Sequence, residues 1–283
     1  MPDPIASTPD ALLREATARL ADAGVTSPAS DARTLLAHVL GLDLTRLLLV
    51  HSVSREDAEN FGSLVAERAS GTPTQHLTGV AHFRYEALSV GPGVFIPRPE
   101  TEVMVGWAID ILKSASTPVV VELCAGSGAI SASLAREVPG ARVHAVELSD
   151  EAVAFAERNL AGSGVDLRLG DMADAFGDLD GRVDLVIANP PYIPLEAWES
   201  VDPTVRDHDP ALALWSGADG LDAMRVVAAV ARRLLRPGGR VCAEHAEVQV
   251  LEAPRVFSDA GFVDVRDHTD LAGRPRFVSA RRV

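Results

Sequence analysis

Lysine is almost missing from this chain: Lys113 is the single one in 283 residues. The other cations are arginines, and 40 acidic against 26 basic residues leave a formal net charge of −14. A surface this acidic repels phosphate backbones and argues against a nucleic-acid substrate. Cysteine is scarce too. Cys124 and Cys242 are too few for a disulfide framework, and neither stands at metal-ligand spacing from another cysteine or a histidine pair. No metal is expected, and a reducing compartment, the cytoplasm, fits. No run of about 18 apolar residues marks a membrane span. Met1-Pro2-Asp3-Pro4 opens neither a basic region nor an apolar run, so no leader is expected. Internal repeats and low-complexity tracts are absent. What is plentiful is apolar residues, at 47%, enough for a substantial core in one large domain, or in a catalytic domain with a smaller one beside it.

The first 70 or so residues carry helical signals only. Thr8-Pro9 is an N-cap and first-turn pair, followed by Leu12, Leu13, Ala16 and Leu20 at helical spacing until Gly24. Ser27-Pro28 repeats the signal ahead of Leu35, Leu36, Val39 and Leu40. A short helix is expected around Leu44 to Val50. Ser54 with Asp57 resembles a capping box opening a helix that stops near Gly71. These predict a helical bundle over 1–73. Residues 74–99 read as a hairpin and linker: His82 to Tyr85 and Leu88 to Val90 alternate, then Gly91, Pro92, Gly93, Pro97 and Pro99 punctuate the chain.

From residue 100 on, strands alternate with helices. Strands are expected at 118–123, 141–147, 165–170, 183–188, 239–245, 262–268 and 276–281, with helices at 129–136, 150–161 and 221–235. Such alternation predicts an α/β fold with a doubly wound, mostly parallel sheet. Pro254 interrupts or starts one more helix before Gly261.

Strand Val119 to Leu123 runs into Cys124-Ala125-Gly126-Ser127-Gly128 and then a helix. Glycines let a turn pass close to a ligand, and the helix N-terminus offers free N–H groups. The next strand ends at Glu147, about 20 residues after Gly128, where an acid can accept from both ribose hydroxyls of a nucleoside cofactor. NAD and S-adenosylmethionine are both served by that arrangement. The alternative for Glu147 is a helix-capping acid before Ser149. The third strand ends in Gly170-Asp171-Met172, where Asp171 suits an adenine amino group and Met172 the ring face; the alternative for Asp171 is a turn aspartate.

Strand Val183 to Ala188 ends in Asn189-Pro190-Pro191-Tyr192. Two prolines fix their own φ and restrict the residues before them. The Asn189 side chain and the Pro190 carbonyl are thereby held as two acceptors able to face one NH₂ group, with Tyr192 flat against the planar group carrying it. An amide or arylamine nitrogen has a delocalised lone pair and is a poor nucleophile. Holding both of its N–H bonds favours pyramidalisation and an in-line approach, and no strong base is needed because the proton can leave after attack.

With these residues in place, the chain resembles the class I methyltransferases, and among them the glutamine N5-methyltransferases of peptide chain release factors. The resemblance rests on Phe95-Ile96-Pro97-Arg98-Pro99-Glu100-Thr101-Glu102, on Glu122 to Gly128, on Asn189-Pro190-Pro191-Tyr192, on Glu244-His245 and on the N-terminal bundle, and it covers nearly the whole chain. It implies a Rossmann-like seven-stranded catalytic domain over 100–283 and a substrate-recognition domain over 1–73. The implied cofactor is S-adenosylmethionine, leaving as S-adenosylhomocysteine. The implied acceptor is the glutamine of a Gly-Gly-Gln motif in a release factor, methylated in the cytoplasm by a monomer. Carried over, Glu122, Cys124, Ala125, Gly126, Ser127, Gly128, Glu147, Leu148, Asp171, Met172 and Asn189 hold the cofactor. Asn189, Pro190, Pro191 and Tyr192 hold the amide, and Arg98 either contacts the acceptor protein or ties the linker to the sheet. The family's loop usually begins Asp-Leu-Gly, where this chain has Glu122-Leu123-Cys124, and Met172 stands where an aromatic residue is frequent.

Two further residues have simpler readings: Arg206 in a solvated ion pair with Asp207 or Asp209, and His245 satisfied by backbone at its strand end, with a proton acceptor as its alternative. An adenine-N6 methyltransferase of DNA or RNA would want a basic groove and a sizeable recognition insert, against which stand the net charge and the short loop 193–219. A non-catalytic cofactor-binding scaffold would not need Asn189 or Tyr192.

Overall fold

The computed structural model describes residues 7–283; the reading of Met1-Pro2-Asp3-Pro4 lies outside them. In chain order the elements are α1 (Pro9–Asp22), α2 (Pro28–Val39), α3 (Arg55–Ala69), α4 (Thr74–Thr78), β1 (Val80–Phe83), β2 (Glu86–Ser89), α5 (Thr101–Leu112), β3 (Val119–Leu123), α6 (Ala129–Glu137), β4 (Arg142–Glu147), α7 (Asp150–Asn159), β5 (Asp166–Leu169), β6 (Val183–Ala188), α8 (Pro203–Arg206), α9 (Asp222–Leu234), β7 (Leu235–Glu244), α10 (Glu252–Asp259), β8 (Val263–Thr269) and β9 (Pro275–Arg281). The chain divides into two compact units, 1–80 with 202–208, and 81–201 with 209–283. Among the described residues no helix is long and apolar enough to cross a membrane.

In the first unit the helix starts follow their sequence signals. Pro9 opens α1, whose N-cap Thr8 accepts from the Ala11 N–H at 3.4 Å. Ser54 accepts from the Asp57 N–H at 3.1 Å and donates to the Asp57 carboxylate at 2.7 Å, closing the first turn of α3. Leu20, Leu35, Leu36, Phe61 and Val65 make the small core. The helix expected from Leu44 to Val50 is instead a 3₁₀ turn, Arg46–Leu49. Only Leu47 points inward there, while Leu48 and Leu49 are 76% and 75% exposed. One inward position per turn makes no apolar stripe to hold an α-helix. Helix α4 has no counterpart in the expectation, which gave residues 74–79 to the linker.

The second unit is built on a seven-stranded sheet in the order β5-β4-β3-β6-β7-β9-β8. All pairings are parallel except those of β9 with β7 and β8. Both faces are covered: one core gathers on α9 and α10, the other on α5, α6 and α7. Strand β3 is therefore uniformly buried, as its unbroken Val-Val-Val-Glu-Leu run requires. Helix α5 was not read from the sequence. Its apolar face (Met104, Val105, Ala108, Ile109, Leu112) is helical, but Gly, Pro and loop signals just before it mask the start. Pro254 stands in the first turn of α10, where a missing N–H costs nothing. After β3 the chain winds outward through β4 and β5, then returns to place β6 on the other side of β3. The reversal opens a crevice beyond the carboxyl ends of β3 and β6, where ligands of open α/β sheets sit.

Candidate active site

Two loops meet in that crevice. Leu123 of β3 is paired with Ala188 of β6, so the glycine loop after β3 and the Asn189 to Tyr192 turn leave the sheet side by side.

The glycine loop is tied down by Glu147 at the end of β4. Its Oε2 accepts from the Gly126 N–H at 2.7 Å, and its Oε1 from the Leu148 and Ser149 N–H groups at 2.8 and 2.9 Å. A carboxylate has about four acceptor sites. Three are filled, so a ribose hydroxyl would take the fourth or share with the Gly126 N–H. Of the two readings of Glu147, the cap of α7 belongs to Ser149, which accepts from Ala152. Gly126 has φ 54, and a Cβ there would meet nothing within 4 Å, which leaves an open cradle above the loop. Gly128 has φ 79, and a Cβ there would press on Leu160 at 3.1 Å.

Cys124 also has positive φ, 61. A side chain in that region costs roughly 1–2 kcal/mol, which accounts physically for the glycine more usual there. Burial and the nearby Glu147, Glu122 and Asp171 push its thiol well up, so it is a neutral thiol, with Sγ 3.6 Å from the sulfur of Met172. Asp171 is exposed and Oδ1 accepts from the Ala173 N–H at 2.9 Å, the turn geometry of its alternative reading. Glu122 sits differently from the rest. It is 1% exposed, and its Oε2 takes the Ser131 N–H at 2.9 Å as well as the Ser131 hydroxyl. It therefore holds the first turn of α6 against the end of β3, beneath the loop, and desolvation raises its pKa to about 8.

The acceptor turn is braced on several sides. Asn189 Nδ2 donates to Thr101 Oγ1 at 3.3 Å, the Thr101 hydroxyl donates to Glu244 Oε2 at 2.5 Å, and the Tyr192 hydroxyl donates to Glu244 Oε1 at 3.2 Å. Gln249, buried, donates to the Tyr192 carbonyl at 3.0 Å. A Cβ on Gly220 would come within 2.3 Å of that carbonyl. Among the described residues neither Asn189 Oδ1 nor the Pro190 carbonyl accepts a hydrogen bond. Burial, and then the Glu244 charge, push the Tyr192 phenol far up, so it stays a neutral ring and donor. Arg98 gives its guanidinium to Asp209 at 2.5 Å and lies over Phe95, so it ties the linker to the loop after α8 and not to a strand of the sheet. Arg206 pairs with Asp207 at 2.8 Å. His245 is fully buried between the Ala246 carbonyl and Asp267. Thr101, Glu244, Ser131 and Gln249 have no role in the sequence reading. The first two lay inside quoted motifs; for the last two no sequence signal existed.

The chain is similar to known proteins along most of its length. Residues 11–79 match the family described as PrmC N-terminal domain, and residues 104–200 that described as Methyltransferase small domain. A release factor glutamine methyltransferase from Streptomyces coelicolor is 54% identical over 95% of this chain and 96% of its own length. The chain belongs to the release factor glutamine methyltransferase family. Another member of that family, from Mycolicibacterium smegmatis, is 46% identical over 96% of both chains. A 4-amino-L-phenylalanine/4-methylamino-L-phenylalanine methyltransferase from Streptomyces pristinaespiralis is 41% identical over 88% of this chain and 87% of its own. Among solved structures the hMettl16 catalytic domain, in complex with a 3′UTR hairpin, shares the fold, with TM-score 0.54 and 13% identity over 68% of this chain and 75% of that one. As a member of its family the chain is a methyltransferase with S-adenosylmethionine as methyl donor. The open cradle at Gly126 and the carboxylate of Glu147 fit that donor. Replacing Glu147 with alanine is expected to weaken S-adenosylmethionine binding by about 1.5–3 kcal/mol, the worth of charge-assisted bonds. Calorimetry reads this directly, and an unchanged dissociation constant would leave Glu147 as a brace of the loop alone.

Proposed function

We propose that this chain methylates the side-chain N5 of the glutamine in the Gly-Gly-Gln motif of peptide chain release factors. The observation that carries the reading is the braced turn with two unfilled acceptors, Asn189 Oδ1 and the Pro190 carbonyl, beside the cofactor loop. One primary amide presents two N–H groups, and the turn offers two acceptors for them. S-adenosylmethionine supplies an electrophilic methyl group and departs as S-adenosylhomocysteine. Asn189 and Pro190 draw on the amide's N–H bonds, localise the lone pair on nitrogen and aim it. Tyr192 covers the planar face. No side chain is asked to be a strong base, since the nitrogen sheds its extra proton once the N–C bond exists.

An aromatic amine fits the same pair of acceptors, and the Streptomyces pristinaespiralis relative is named for one. Labelled S-adenosylmethionine with the wild-type chain separates the two. Label should enter intact release factor, vanish when the Gly-Gly-Gln glutamine is replaced, and not enter 4-amino-L-phenylalanine. The opposite pattern would give the aromatic amine. The net charge of −14 speaks against a nucleic-acid acceptor.

The helices of residues 1–73 carry none of the site residues, and a tripeptide offers too little surface for selective binding. We assign to them recognition of the protein substrate. Leu48 and Leu49 are apolar residues displayed to solvent without packing duty. Changing both to aspartate in the full chain should raise KM for intact release factor about tenfold or more. Cofactor affinity and the slow reaction with a Gly-Gly-Gln peptide should stay as they were. Unchanged KM for release factor would show that these two leucines take no part in recognition.

A further inference from the structure

The acceptor turn raises a question of direction. Asn189 serves the reaction only if its carbonyl oxygen, not its NH₂, faces the acceptor nitrogen. The two ends of a carboxamide are the same size, so shape does not choose between them. Something must fix the flip, and the hydrogen bonds behind the turn do so.

We propose that Thr101 and Glu244 are positioning residues that set the direction of the Asn189 carboxamide by a one-way hydrogen-bond chain. A carboxylate only accepts. Glu244 Oε2 therefore takes the Thr101 hydroxyl proton, at 2.5 Å. With its one proton committed, Thr101 Oγ1 can only accept at its remaining contact, 3.3 Å from the Asn189 side chain. The Asn189 end turned to it must be the NH₂, and the oxygen is left to face the acceptor. The other carboxylate oxygen takes the Tyr192 hydroxyl, so one buried acid orients the group that binds the amide N–H and braces the ring that covers the amide plane. Thr101 and Glu244 are 3% and 1% exposed, so water does not break the chain. This inference rests on the proposed amide acceptor in assigning the task, while the direction of the chain itself does not depend on the acceptor.

The arrangement makes the chain conditional on the charge of Glu244. Desolvation lifts the Glu244 pKa to about 7 against the pull of Arg276 on β9, with Glu100 ahead of α5 raising it slightly. Tyr192 and Thr101 face it from the acceptor turn and α5; His245, next along the chain, is held by Asp267, and Arg98 bears on Tyr192. Once protonated, Glu244 can donate to Thr101, whose proton is then released toward Asn189, and the reversed carboxamide becomes as good a fit. Turnover should therefore rise with pH through about 7.

Thr101→Val keeps the shape and deletes the relay. We expect it to lower kcat on release factor about tenfold to a hundredfold, the weight of one buried hydrogen bond, with the S-adenosylmethionine dissociation constant unchanged. Thr101→Ser should restore kcat to within about threefold, since the hydroxyl returns. Glu244→Gln, whose amide donates as well as accepts, should be slow and should lose the rise in kcat through pH 7. A role in stability alone would lower the melting temperature and leave the pH profile standing. Thr101→Val with wild-type kcat, or Glu244→Gln with the wild-type acid limb, overturns the proposal. If Glu244→Gln does not fold, the threonine pair decides. An acceptor-free readout keeps this separate from the proposed function: in ¹⁵N-labelled wild-type chain the Asn189 side-chain N–H protons should exchange with water more slowly than in Thr101→Val. Equal exchange sinks the chain whatever the acceptor; wild-type chain that never labels release factor sinks the acceptor and not the chain.

Discussion

Asn189→Ala is expected to lower turnover on release factor by about 10²–10³ while leaving S-adenosylmethionine affinity close to wild type. The carboxamide is held by Thr101 from behind and turned toward the acceptor in front, and it is not what ties down the cofactor loop, which hangs on Glu147. Alanine removes an acceptor placed in a preformed position, and water replacing it would have to be ordered at the moment of attack. The loss is one of transition-state stabilisation, so kcat and kcat/KM should fall together. Thr101 Oγ1 loses its donor as well, and a drop of roughly 1 kcal/mol in folding stability accompanies the change. Single-turnover methylation with saturating release factor, alongside calorimetry with S-adenosylmethionine, separates the effects. Wild-type turnover at saturation would end the assignment of Asn189 to the acceptor.

The second large effect is on stability and comes from Glu122. Its pKa is about 8 when folded, against an ordinary 4.5, because burial disfavours its charge more than Ser131 favours it. Between those two values the folded chain binds a proton that the unfolded chain has released. Folding stability therefore falls as pH rises from about 4.5 to about 8, and levels off above that, where both states are ionised. At about 1.36 kcal/mol for each pH unit the loss is bounded near 5 kcal/mol. Glutamine imitates the protonated acid and can still accept both Ser131 donors through its oxygen. Glu122→Gln should therefore melt at much the same temperature as wild type near pH 5 and well above it at pH 8–9. Glu244, which titrates near 7, contributes a slope of the same sign in both proteins. Equal pH slopes in the two proteins would show that Glu122 is not held in the way its surroundings imply.

Much of the architecture was legible because it is written in local, periodic signals. Capping pairs such as Ser54 with Asp57 place helix starts through bonds spanning three residues. The unbroken Val-Val-Val run of β3 announces a strand buried on both faces. The glycine loop and the Asn-Pro-Pro-Tyr turn are short because their chemistry is local, so both could be found and given roles. Helix α5 was missed because its start carries linker signals. The Leu44 to Val50 helix became a 3₁₀ turn because only one of its positions is inward. For Arg98 the sequence left two readings level, and only the fold brings Asp209, more than a hundred residues away, to its guanidinium.

By itself, then, the sequence determined the order and kind of most elements, since each depends on neighbours within a few positions, and it singled out as candidates the glycine loop, the acid at Glu147 about 20 residues on, and the four-residue turn at Asn189. The tertiary structure decided what is joined through space. It set Leu123 beside Ala188 by reversing the strand order, buried Glu122 beneath the loop against Ser131, and brought Thr101, Glu244 and Gln249 behind the turn from three separate elements. Such contacts depend on burial and on which strand end lies next to which. A one-dimensional pattern does not encode them, because a buried hydrogen bond between residues 88 or 143 positions apart leaves no periodicity behind it.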